Sequence, residues 1–168
     1  KRFGTSVNSS QVFQTSSPIK NPENGSAYVY VFPQFSFASS KEFNIIENYA
    51  KSLGGHIVTI DDAEENQFLQ NNFRYLNAII GLNDNTNENE FKWVSGDEVK
   101  YTNWFEGEPN NQPNNSGGAS NVRLDGVSGK WYDDGYGGEY TSGGDAYVIE
   151  IPGIANVTGV TLNKDSLT

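Results

Sequence analysis

The chain reads as an α+β fold, and three observations predict it. Two helix-start signals stand early, at Ser39-x-x-Glu42 and Asp61-x-x-Glu64, each opening a stretch with apolar residues at helical spacing. Short runs rich in Val, Ile, Tyr and Phe recur both before and after them. Helices grouped early with short strands late do not make the alternating pattern of a parallel α/β sheet. With 168 residues, the chain is long enough to bury one core.

In order, residues 1–26 are rich in Ser, Asn, Thr and Pro and read as an N-terminal arm, or a short strand packed onto the domain. Ala27 to Phe32, bounded by Gly25 and Pro33, is the first clear strand. Phe43, Ile46, Ala50 and Leu53 mark the inner face of the first helix, which Gly54 ends where positive φ is cheap. His56 to Ile60 leaves that stop as a strand, and the second helix turns Phe68 and Leu69 inward. Ala78 to Leu82 is wholly apolar and therefore a buried strand, and Phe91 to Val94 alternates before a Gly96-Asp97 turn. Asn121 to Leu124 and Ala146 to Ile151 complete the strands.

Composition excludes more than it identifies. Lys and Arg total 11 against 21 for Asp and Glu, a net charge of -10, which disfavours a nucleic-acid backbone or an anionic membrane surface as partner. No window approaches the roughly 20 apolar residues that span a bilayer, so membrane insertion is not expected. Cysteine is absent and histidine occurs once. Disulfide frameworks, thiolate metal sites, zinc catalysis and Ser-His-Asp chemistry all lose their support. The Lys1-Arg2-Phe3 start suggests a piece of a longer protein.

The segment from Asn103 to Asp134 carries the chemistry. It holds Trp104, the triplet Glu108-Pro109-Asn110, a Gly/Asn/Ser loop, and Gly129-Lys130-Trp131 followed by Asp133 and Asp134. Glu108, Asn110, Asp133 and Asp134 offer carboxylate and amide oxygens, the ligands a hard cation such as Ca2+ takes six to eight at a time. Gathered carboxylates repel one another unless a cation sits among them. The bland alternative is a solvated Asn/Gly-rich surface loop.

Several ordered motifs then resemble the C-type lectin-like domain family across residues 27–152. They are Tyr49 to Ile60, Ala63 to Leu69, Ile80-Gly81-Leu82, Asn103-Trp104 before Glu108-Pro109-Asn110, Gly129-Lys130-Trp131 before the acids, and Tyr147 to Glu150. The resemblance implies a double-loop fold whose long loop binds calcium, the calcium in turn binding two vicinal sugar hydroxyls. It implies mannose-, glucose- or fucose-type specificity, a cis bond at Pro109, sugar contacts from Glu108, Asn110, Asn121 and Asp133, and metal contacts from Glu108, Asn110, Asp133 and Asp134. Among Asn114, Asn115, Ser120 and Asn121 as further ligand, strand position favours Asn121.

The chain departs from the family at identifiable places. The family's paired cysteines fall near Ala50 with Ile149 and near Asn121 with Tyr136, so apolar packing must replace at least the first bridge, which is typically worth about 2–5 kcal/mol. Where the family has Trp-Asn-Asp this chain has Trp131-Tyr132-Asp133, so either Tyr132 replaces a ligand or the register slips by one. Gln112-Pro113-Asn114 repeats the acceptor triplet, though the spacing from Trp104 favours Glu108. Asp84 and Glu88 match an accessory calcium position or form a plain polar loop, and His56 reads as structural. Residues 153–168 read as a linker or the start of a bacterial immunoglobulin-like repeat.

The expected function is accordingly a calcium-dependent glycan-binding module, not an enzyme, on an extracellular bacterial surface adhesin with neighbouring domains. A calcium-independent protein-binding module is the alternative. A glycosidase using Glu108 and Asp133 has only the paired carboxylates behind it.

Overall fold

A computed structural model describes residues 13–33, 40–74, 77–84, 86–87, 90–109, 121–133 and 146–153. The elements are β1 (Phe13–Thr15), β2 (Ile19–Lys20), β3 (Ala27–Pro33), α1 (Ser40–Ser52), β4 (His56–Ile57), α2 (Ala63–Asn72), β5 (Asn77–Asn83), β6 (Lys92–Trp93), β7 (Asn121–Asp125), β8 (Trp131–Tyr132) and β9 (Ala146–Ile151). The main sheet runs β1-β3-β9-β5-β7-β8, with β2 on β3, β4 on β9 and β6 on β5. β5 and β9 run parallel, whereas β3 and β9 pair antiparallel from Ala27↔Ile151 to Val31↔Tyr147. An α+β architecture results.

Side-chain alternation explains how one sheet serves two helices. In β3, Tyr28 and Tyr30 enter one apolar cluster while Val29 and Val31 enter the other, and in β9 Val148 separates in the same way from Tyr147 and Ile149. Leu69 of α2 and the adjacent Phe73 join the first cluster, and Phe43, Ile46 and Ala50 of α1 join the second. The sheet therefore lies between α1 and α2. Ala50 and Ile149 are both fully buried in the same cluster, so apolar packing occupies the place where the family resemblance would put a bridge.

Several details differ from the sequence expectations. Leu53 lies beyond the end of α1 and is 36 % exposed, because the chain reverses at Gly54, whose φ is +80°, and carries Leu53 off the apolar face. The cap of α2 is Asp62 rather than Asp61: its Oδ1 accepts from the Glu65 amide at 2.8 Å, and Glu65 Oε2 accepts from the Asp61 amide at 2.9 Å. The cap half of a capping box is thus present one residue later, with the Glu65 carboxyl reaching back to the amide of the residue before the cap instead of the cap itself. Strand β4 ends at Ile57, although the Val58 N–H still donates to Val148 O of β9 and the Val58 carbonyl accepts from Gly81 of β5. The cap residue Ser39 lies outside the described residues.

The N-terminal stretch contributes structure as well. β1 pairs with β3 from Phe13↔Pro33 to Thr15↔Val31, and β2 pairs Ile19↔Tyr28 and Lys20↔Ala27. The tail from residue 154 onward lies outside the described residues.

Candidate functional site

Trp131 is the post on which the candidate site is built. Its side chain is fully buried, and Trp93, Tyr101 and Trp104 meet it edge-on with centroids 5.7–5.8 Å away, the arrangement ring quadrupoles favour. Its Nε1–H donates to Asn66 Oδ1 at 2.8 Å, so the one polar atom of the ring is satisfied within the core. Asn66 Nδ2 in turn donates to Gly129 O at 3.0 Å, and Asn103 Nδ2 reaches the same carbonyl at 2.7 Å. Helix α2 and the segment before Trp104 thus clamp the approach to β8.

The backbone then places the Glu108 segment alongside. Trp131 N–H donates to Asn103 O and Phe105 N–H donates to Trp131 O, both at 2.9 Å, which makes a parallel bridge between Trp104 and Trp131. Past the bridge the chain turns through Gly107 at φ +90°, with Glu108 N–H donating to Phe105 O at 2.9 Å. The Glu108–Pro109 peptide is cis, as the resemblance implies. On the other side of β8, β7 pairs Arg123↔Tyr132 and Leu124↔Trp131. The antiparallel direction brings Asn121, at the start of β7, toward the end of β8 where Asp133 follows. Glu108 and Asn121 therefore approach the Asp133 end of β8 from its two sides.

Burial distinguishes these oxygens from a solvated loop. Asn121 and Asp133 are 8 % and 9 % exposed, Glu108 is half-buried, and Asn121 Oδ1 is buried with no hydrogen-bond partner among the described residues. A buried amide oxygen without a partner costs about 1–3 kcal/mol, which a cation or its hydration water would offset. The donor set, two carboxylates and an amide, suits a hard cation and not a soft one. Among the described residues no group of three or more His, Cys, Asp or Glu gathers as a metal site. Asn110 and Asp134, needed to enlarge the set, lie outside the described residues, as do Glu88, Asn114, Asn115, Ser120, Tyr136 and the second triplet at Gln112.

Tyr132 faces away from its two buried neighbours. Trp131 and Asp133 are buried while Tyr132 between them is half-exposed, as strand alternation requires. Its ring stacks on Phe105 at 4.9 Å and 19° and lies 5.0 Å from the Arg123 guanidinium. Burial raises the pKa of its hydroxyl, and the negative charges of Asp125 and Glu108 act in the same direction. In the neighbouring turn, burial opposes ionisation of Asp125, but hydrogen bonds from Ser128 and Val127 and the charge of Arg123 hold its carboxyl below the usual range.

The remaining expectations sort simply. Asp84 is buried at the end of β5. His56 is a structural residue, with Nδ1 2.8 Å from Ile57 O and Nε2 3.9 Å from the Glu150 carboxylate. Sequence reasoning missed Asn66, Phe105 and Arg123. Asn66 had one available signal: it precedes Leu69 by three and Phe73 by seven, a polar residue on the apolar face of α2.

Comparison with known proteins matches this architecture. A family model described as the lectin C-type domain matches residues 39–136. The alpha-N-acetylgalactosamine-specific lectin of Patiria pectinifera is 29% identical over 120 residues, 66% of this chain and 67% of that protein. The human scavenger receptor C-type lectin carbohydrate-recognition domain superposes with a TM-score of 0.61 at 24% identity, covering 76% of this chain and 91% of that one. The C-type carbohydrate-recognition domain of cow CD23 has a TM-score of 0.54 at 28% identity, covering 74% and 86%. Against the full lengths of the curated relatives it matches, the aligned part spans 23%, 67% and 49%. Since the family is one of binding domains and not of enzymes, the glycosidase reading of Glu108 and Asp133 falls away. The matched model over more than half of the chain, together with the fold, establishes that this chain belongs to the C-type lectin domain family.

Proposed function

We propose that this domain binds glycans in a calcium-dependent manner at the loop end of β8, as a module of an extracellular surface adhesin. The observation that carries the proposal is the backbone pairing that leads Glu108 and Asn121 toward the Asp133 end of β8, with Asn121 Oδ1 buried and without a hydrogen-bond partner among the described residues. Glu108 and Asp133, joined by Asn110 and Asp134, would hold the ion, and Glu108, Asn110, Asn121 and Asp133 would contact the sugar. When bound, calcium supplies coordination positions that two vicinal hydroxyls can fill. The protein's own part is to hold the acceptors in place through the Trp131 clamp before the sugar arrives, which lowers the ordering cost of binding.

The Glu108-Pro109-Asn110 triplet favours mannose-, glucose- or fucose-type sugars. The Patiria pectinifera relative is named for alpha-N-acetylgalactosamine, and the cow domain was crystallised in the presence of a GlcNAc2Man3 oligosaccharide. A single-sugar contact of this size is weak, on the order of 1 mM, and useful avidity comes from repeated copies. A calcium-independent protein-binding module is the second reading, favoured by the stacking of Tyr132 where the family pattern has an amide ligand.

Calorimetric titration of chelated protein with calcium tests the metal, and monosaccharide inhibition of binding to a mannosylated or fucosylated surface tests the sugar. Glu108→Gln with Asn110→Asp should weaken mannose-type binding, while the same exchange at Gln112 and Asn114 should matter less. Undiminished binding in both variants removes sugar recognition from this loop. An absence of calcium uptake selects the protein-binding reading.

A further inference from the structure

We propose that the outer face of Phe105, backed by Tyr132 and Arg123, is a second saccharide subsite that stacks the next ring of an oligosaccharide whose first ring is held at Glu108. The inference rests on the glycan reading above. It goes beyond it by naming a subsite outside the metal loop and a ligand of at least two sugar units.

Phe105 is 44 % exposed, although it neighbours the half-buried Trp104. Its position is nevertheless fixed. The backbone N–H donates to Trp131 O and the carbonyl accepts from Glu108, both at 2.9 Å. The ring lies nearly parallel to Tyr132 at 4.9 Å, and Tyr132 is itself held by the Arg123 guanidinium at 5.0 Å. One face of the Phe105 ring is used in this stack, which leaves the other for a ligand.

The surroundings select the ligand class. Exposed Glu106 and half-buried Glu108 follow Phe105 in the chain and offer acceptors beside a single aromatic ring, while the Arg123 guanidinium lies over Tyr132 behind it. A pyranose has the matching anatomy, with an apolar C–H face and a rim of hydroxyls. Its C–H groups carry partial positive charge and meet the negative face of the ring. A protein partner ordinarily needs about 800 Å² on each side, far more than one phenyl face. The Glu108 backbone N–H is hydrogen-bonded to the Phe105 carbonyl, so the two residues stand side by side and a second sugar next to one held at Glu108 is within reach of the ring.

The test compares methyl α-mannoside with a two-mannose disaccharide, and methyl fucoside and glucoside with their own disaccharides, on the calcium-loaded protein. The unsubstituted protein should favour the disaccharide by roughly three- to tenfold, the worth of one aromatic contact. Phe105→Ala should abolish that preference without changing the monosaccharide affinity, and Phe105→Trp should keep it. Proton spectra of the bound disaccharide should show upfield shifts confined to one face of the second ring, lost in Phe105→Ala. A disaccharide preference unchanged in Phe105→Ala, or no preference at all, overturns the subsite while leaving the Glu108 site standing. Failure of the unsubstituted protein to bind any of these sugars overturns the glycan reading and the subsite together.

Discussion

The buried carboxyl of Glu65 makes the stability of the domain pH-dependent in an unusual direction. Glu65 is 5 % exposed, accepts from the Tyr28 hydroxyl, and receives Asn24 Nδ2 at 3.4 Å and the Asp61 amide at 2.9 Å. Burial pushes its pKa up from 4.5 to about 7, the charges of Glu150 and Asp61 adding to it and the hydrogen bonds from Asp61 and Tyr28 only partly opposing it. The folded protein therefore keeps this proton up to pH near 7, while the unfolded chain releases it near 4.5. Across that window the folded state binds more protons, so the contribution of Glu65 to stability falls as pH rises. At about 1.36 kcal/mol per pH unit the ceiling is roughly 3 kcal/mol, and partial solvation of the carboxyl brings it nearer 2. Urea unfolding in the presence of a chelator, at pH 5 and pH 8, reads the effect as the difference between the unsubstituted protein and Glu65→Gln. The glutamine keeps one acceptor oxygen where the carboxyl has two, which shifts its whole curve, but only the carboxyl titrates. Relative to the parent, Glu65→Gln should gain about 2 kcal/mol between pH 5 and pH 8. Parallel curves, or a parent that gains on the variant, would refute the reasoning.

Three further outcomes are expected. Ala50→Cys with Ile149→Cys should form a bridge on oxidation, since both positions are buried in one cluster and bonded cysteines need Cα atoms only about 4.4–6.8 Å apart; a double variant that stays reduced by thiol titration sinks the pairing. Gly81→Ala should lower stability by about 1–3 kcal/mol in urea, because its Cβ would lie 2.6 Å from Ile57 O and 2.9 Å from Val58 O, backbone atoms that cannot step aside; a neutral result would mean that the strand moves freely. Asn66→Leu should destabilise by about 1–3 kcal/mol and weaken calcium uptake as well, because it strands Trp131 Nε1 and frees the Gly129 turn; calorimetry showing unchanged calcium affinity would separate the clamp from the site.

Much of the fold was legible locally. The Val, Tyr and Phe content of Ala27 to Phe32, the helical spacing of Phe43, Ile46 and Ala50, and the stop at Gly54 each depend on residues within a turn or a strand of one another. The one-residue error at the cap of α2 has the same local origin. Asp61, Asp62, Glu64 and Glu65 offer two overlapping capping boxes, and burial of Glu65 against Tyr28 selects between them. Leu53 was misplaced because periodicity carries no information about where the chain leaves the axis.

What the sequence by itself determined is the inventory: an α+β chain without cysteine, with a Glu-Pro-Asn triplet at family spacing from Trp104 and carboxylates after Trp131. Only the tertiary structure decided how these meet. The parallel bridge between Trp104 and Trp131 joins residues 27 apart in sequence, and Asn66 reaches Trp131 from 65 residues away. No local propensity encodes such contacts, because their stability comes from burying Trp131 among three other aromatic rings at once. The same holds for Tyr132. Its residue type leaves a replaced ligand and a slipped register both open, and only the pairing of β7 with β8, which sets it beside Arg123 and under Phe105, makes it part of a surface.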